Sequence, residues 1–190
     1  MHRPWWAVLL LSGCATAPVP SAVPTWTLLS ATPDTEEIQI QGSQHLRRAK
    51  VTEAGARGPF LNVSRVPGKL HGTIGVDTPL SLQQNGTEVL GSVGSDAYDL
   101  TLMPDGEETR AQGQVAGLPT TFWMSPAKIR GSVGPCRFEF VWGSGRYTGG
   151  RTCGPQSDTV SVLLPAAMAS WSDPEAAALL TLMLMPRSGG

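Results

Sequence analysis

Three cysteines, three histidines and a scatter of carboxylates are the residues of this sequence able to do chemistry. His71 alternates with Leu70 and Gly72, so it falls on the wet face of a strand, where a solvated imidazole is expected. His45 stands beside Arg47 and Arg48, which together read as a basic surface patch. Asp96, Asp99, Glu107, Glu108 and Glu139 are acidic, but no spacing pairs any two of them as acid and base. Gly-x-Ser-x-Gly, His-Glu-x-x-His and Walker-type loops are missing. So little ligating material leads us to expect no metal and no cofactor. A formal net charge of -1 gives no electrostatic grip on nucleic acid.

Cys14 stands apart from this. It follows Leu11-Ser12-Gly13 at the end of a short apolar run from Trp5, with Arg3 in front. The run is too short to span a bilayer as a helix, and the small residues at 12 and 13 give a peptidase access to the backbone. Leu11-Ser12-Gly13-Cys14 resembles the lipobox of bacterial lipoproteins. The resemblance implies cleavage before Cys14, acylation of its sulfur and new amine, and anchoring in the bacterial cell envelope. Ala15, rather than Asp, implies the outer membrane. Residues 1–13 are then a signal peptide, and 14–24 the lipidated Cys with a tether rich in Pro and Ala. The extended tether reaches roughly 30 Å at ~3.1 Å per residue.

An exported domain lies in territory that permits disulfides. Gly143–Arg146 reads as a four-residue hairpin loop. Counting outward sets Trp142 opposite Tyr147, Phe140 opposite Gly149, Phe138 opposite Arg151 and Cys136 opposite Cys153. Facing Cα atoms lie about 4.5–5.5 Å apart, within disulfide range. Closing that loop is expected to stabilise by roughly 3 kcal/mol. The hairpin tip, Ser144-Gly145-Arg146-Tyr147, is similar to the Ser-Gly-x-x-Tyr motif of membrane-bound inhibitors of C-type lysozyme, although one residue short and without that family's second motif. That resemblance implies Ser144, Arg146 and Tyr147 as contacts to a partner protein.

The elements that position these residues follow a weak repeat, apolar-x-Gly-x-(Val/Ile). It occurs at Leu70-Gly72-Ile74, Val89-Gly91-Val93, Ala111-Gly113-Val115 and Ile129-Gly131-Val133. The period of two places each set on one face of a strand, with mostly polar residues between. A second apolar pattern follows each unit across a turn such as Gln84-Asn85-Gly86 or Pro104-Asp105-Gly106. One hairpin per repeat makes an antiparallel up-and-down meander. The glycines suggest tight curvature or a bulky neighbour lying over bare backbone. Residues 25–31, 37–51, 60–66 and 159–164 also read as strands, which brings the total to about ten to twelve.

Near the C-terminus, Ser172-Asp173-Pro174-Glu175 starts a helix over 174–185 with Asp173 as its cap. It is apolar all round, so it is expected to pack inside the fold as a plug in a barrel mouth or a cover across the sheet. The fold class is therefore all-β: a strongly curled sheet, barrel or sandwich with one C-terminal α-helix, spanning a single domain from 25 to 190. The function expected is that of a non-enzymatic envelope lipoprotein, structural or binding a protein, glycan or lipid. A small hydrolase or lipid-handling protein with a dispersed site is the alternative, and lysozyme inhibition a minor one.

Overall fold

The computed structural model describes residues 28–43 and 45–186. Cys14 and the stretches expected to be leader (1–13) and tether (14–24) lie outside the described residues. The described residues form a closed barrel of fourteen antiparallel strands. These are β1 (Glu37–Gln41), β2 (Leu46–Thr52), β3 (Gly55–Arg57), β4 (Leu61–Val66), β5 (Lys69–Ile74), β6 (Thr78–Asn85) and β7 (Glu88–Val93), followed by β8 (Asp96–Asp105), β9 (Glu108–Val115), β10 (Leu118–Met124), β11 (Lys128–Val133), β12 (Cys136–Gly143), β13 (Arg146–Cys153) and β14 (Gln156–Leu163). Each strand pairs with its neighbours in sequence, and β1 closes the ring against β14. A short 3-10 helix, Ala166–Ser170, and one α-helix, α1 (Asp173–Leu184), follow the last strand.

The meander and its hairpin registers follow the sequence, but several local expectations change. The stretch 37–51 is two antiparallel strands, β1 and β2, and the three-residue β3 adds a strand that alternation did not reveal. Of the strand expected at 25–31, the described part is irregular, and Leu28 and Leu29 pack into the core instead. The helix begins one residue earlier than expected, and its cap is Ser172 rather than Asp173. Ser172 Oγ accepts from Glu175 N–H while Glu175 Oε2 accepts from Ser172 N–H. This Ser-x-x-Glu box satisfies two orphan donors at once, which a lone Asp at the next position does not.

Inward positions are mostly apolar and outward ones mostly polar. On β2 the buried residues are Arg47, Ala49 and Val51, between exposed Arg48 and Lys50. Barrels that face lipid reverse this pattern. No described helix is long and apolar enough to cross a membrane. At the repeat glycines the neighbouring strand's backbone lies where a Cβ would stand. Gly91 has φ +153°, and a Cβ there would lie 2.0 Å from the Ser81 carbonyl oxygen; at Gly131 (φ +143°) a Cβ would lie 2.4 Å from Phe122 Cα. The register sets Gly91 opposite Tyr98, Gly131 opposite Phe138 and Gly149 opposite Phe140, so a large ring stands across from each bare backbone. Gly91 is itself exposed, although its parity with Val89 and Val93 places it on the inner face.

Helix α1 occupies the lumen. Residues 174–184 are all buried, and groups from three separate strands of the wall bond to the helix. Arg65 of β4 holds Glu175, Tyr98 of β8 meets Thr181 at 2.8 Å, and Arg47 of β2 donates to Met183 O. The chain leaves β14 at the mouth where Leu28 enters, crosses it as the 3-10 helix, and descends along α1 to the far mouth. Trp171 fixes the crossing, donating from Nε1 to Thr52 O at 2.9 Å.

Candidate functional site

The β12–β13 hairpin carries most of the residues singled out by sequence. Its register is Trp142 to Tyr147, Phe140 to Gly149, Phe138 to Arg151 and Cys136 to Cys153, as counted from the loop. Cys136 and Cys153 are joined in a disulfide with a Cα separation of 4.0 Å, closer than the ordinary spacing of facing residues. At the tip, Ser144 and Arg146 are exposed, but Tyr147 is wholly buried. Its side chain points inward because it continues the parity of Phe140 and Phe138 across the register. Tyr147 Oη accepts from Ser30 N–H at 2.7 Å and lies 3.1 Å from the carbonyls of Ser125 and Pro126. Burial raises its phenol above the ordinary range, against the Ser30 hydrogen bond that lowers it. Tyr147 therefore ties the N-terminal segment to the barrel, and a partner reaching the tip meets Ser144 and Arg146 without it.

The entry mouth holds the helix start. Arg65 and Glu175 form a buried ion pair at 2.9 Å, with side chains 10% and 2% exposed. Burial alone would raise the Glu175 carboxyl, but the Arg65 guanidinium and the backbone N–H groups of Ser172 and Gly68 outweigh it and hold the carboxyl below its usual range. Beside this pair is a groove of about 680 Å³ whose apolar lining includes Leu102, Met103, Pro104 and Trp171. Asp173 stands on its edge, with its carboxyl raised by burial.

The far mouth is more polar. A cleft of about 320 Å³ opens among the helix end, the β1–β2 turn and the β13–β14 hairpin, with His45, Arg47, Arg151, Gln156 and Asp158 in its lining. Arg47 is buried and donates to the helix carbonyls of Met183 at 2.9 Å and Met185, while its guanidinium lies 4.0 Å from the Phe60 ring centroid. The basic surface patch expected at 45–48 is thus divided by strand parity: Arg48 faces out, and Arg47 faces in and caps the helix. His71 is exposed on β5. The buried cluster at this mouth was missed by the sequence reading, although the alternation Arg47-x-Ala49-x-Val51 carried its signal. Among the described residues there is no group of three His, Cys, Asp or Glu able to hold a metal ion.

No family model matches the chain, and no curated protein or solved structure matches it.

Proposed function

We propose that this protein is a lipid-anchored lipoprotein of the bacterial cell envelope whose barrel works by binding rather than by catalysis. The observation that carries the anchor is Leu11-Ser12-Gly13-Cys14 behind a short apolar run. The wall suits this reading, because a barrel with polar residues outside belongs in water and needs an added anchor to stay at a membrane. The lumen is filled by α1, which leaves the mouths and the outer wall as binding surfaces. Among the described residues, buried Glu175 is held by Arg65 and half-buried Asp158 by Arg151. They serve to hold the fold rather than to move protons.

The anchor is tested by labelling cells with a radioactive or alkyne fatty acid. Cys14→Ser is expected to abolish incorporation and leave the leader uncleaved; a fully labelled C14S protein refutes the anchor. The groove at the entry mouth favours lipid handling as a second reading, since its apolar lining adjoins the point where the chain enters the barrel. Lipid co-purifying with the wild-type chain and lost in Met103→Glu supports that reading.

A further inference from the structure

At the far mouth two polar atoms, Arg151 Nη1 and His45 Nδ1, are left without a hydrogen bond among the described residues. Arg151 and Asp158 face each other in register and bond through Arg151 Nε and Nη2 at 3.3 and 3.0 Å, with side chains 12% and 16% exposed. The β1–β2 turn is shaped around this pair: a Cβ on Gly42 would lie 2.3 Å from Asp158 Oδ2. The pair therefore sits beneath backbone and is not a loose surface contact. Arg151 Nη1 makes no hydrogen bond among the described residues. His45 lines the same cleft, and its Nδ1 is buried without a hydrogen-bond partner among the described residues. Leaving a buried polar atom unsatisfied costs about 1–3 kcal/mol, so a turn of the ring that brings Nδ1 to a ligand in the cleft is favoured.

The chemistry of the lining selects the ligand. The Arg151 guanidinium, the amide of Gln156 and the imidazole of His45 carry N–H donors, whereas Arg47 is engaged by the helix carbonyls and the one carboxylate, Asp158, by Arg151. The cleft's one carboxylate is thus paired, and Arg151 still has an N–H edge without a partner among the described residues. A planar, acceptor-only group matches a guanidinium held from one side. The volume, about 320 Å³, suits a small molecule rather than a chain segment.

We propose that this cleft binds a small carboxylate-bearing molecule, with Arg151 and His45 as its contacts. Asp158 fixes the plane of the guanidinium, and Arg47 closes the floor by capping the helix. Leu28 enters at the opposite mouth, so a chain held from its N-terminal side presents this cleft away from the point of attachment. The inference names a ligand for the binding reading above but does not depend on lipid at Cys14.

The test is a titration of the mature full chain, labelled with nitrogen-15 in histidine, with glutarate and with its uncharged analogue glutaramide. The expected result is a saturable shift of the His45 ring nitrogens with glutarate and none with glutaramide. The double variant Arg151→Gln, Asp158→Asn keeps a neutral hydrogen-bonded pair and is expected to weaken glutarate at least about tenfold. Where that variant does not fold, Arg151→Lys keeps the charge, loses the fork, and is expected to weaken glutarate by about the same factor. No saturable shift, an equal response to glutaramide, or unchanged affinity in a folded variant overturns the proposal. Fatty-acid labelling at Cys14 is read separately, so the anchor and the cleft fail independently.

Discussion

Gly91 and Gly150 are both strand glycines, and they answer different demands. Gly91 has φ +153° and the Ser81 carbonyl where a Cβ would go, whereas nothing lies within 4 Å of a Cβ on Gly150. Gly91→Ala is therefore expected to cost about 3 kcal/mol or more, from backbone strain and overpacking together. Gly150→Ala is expected to stay within about 0.5 kcal/mol of wild type. Urea unfolding of the two variants checks both, and equal stabilities would mean that the repeat glycines are not set by close approach. The repeat was legible in the sequence because the glycines recur at one strand position. Their backbone conformation was not, since it depends on how near the next strand comes. Arg47 teaches the same lesson. Its inward parity was written in β2, but its partner carbonyl lies 136 residues away, and only folding brings the two together.

At the scale of elements, α1 is the one whose position the sequence left open. Its composition required burial, and two sites for it, a barrel mouth or a sheet face, were equally consistent with an apolar helix. The lumen decides because a fourteen-stranded ring encloses more space than its own inward side chains fill. Glu175 fixes the helix in that lumen by joining the capping box to Arg65 and Gly68. Glu175→Gln is expected to destabilise by about 3 kcal/mol, because it leaves the Arg65 guanidinium buried without its counter-charge. The carboxyl is held below its unfolded value, so its contribution is present above the unfolded carboxylate range and is lost as pH falls through the folded value. Wild type should accordingly lose stability on acidification by more than Glu175→Gln does. Denaturant midpoints of both proteins at neutral and acid pH measure this, and parallel losses would remove Glu175 from the account. The hairpin register, by contrast, was legible in full, because a tight loop fixes which residues face each other for the whole length of the strands.

At the scale of the whole molecule, the chain's two tyrosines report on closure of the barrel. Tyr98 and Tyr147 are both buried, on β8 and β13, and burial pushes both phenols above their ordinary value. A raised folded value means that the native state holds its proton after the unfolded chain has released it. The resulting stability is intact below about pH 10 and falls as pH rises beyond it, by up to about 1.4 kcal/mol per pH unit for each tyrosine. Tyrosinate absorbance near 295 nm is therefore expected to appear together with loss of far-ultraviolet β signal in one alkaline transition. Absorbance rising first, while the barrel is still folded, would show that at least one phenol is open to solvent.

The sequence by itself determined the antiparallel meander, its inward and outward faces, the facing cysteines and the presence of an apolar C-terminal helix. All of these rest on alternation, turn chemistry and loop length, which act over a few residues. Tertiary structure decided the number of strands, the pairing of β1 with β14 that closes the ring, the threading of α1 through it, and the polar cleft at the far mouth. These depend on groups more than a hundred residues apart, such as Ile40 and Val162 across the seam. Such contacts leave no local pattern, because each partner looks ordinary until the closed ring sets them side by side.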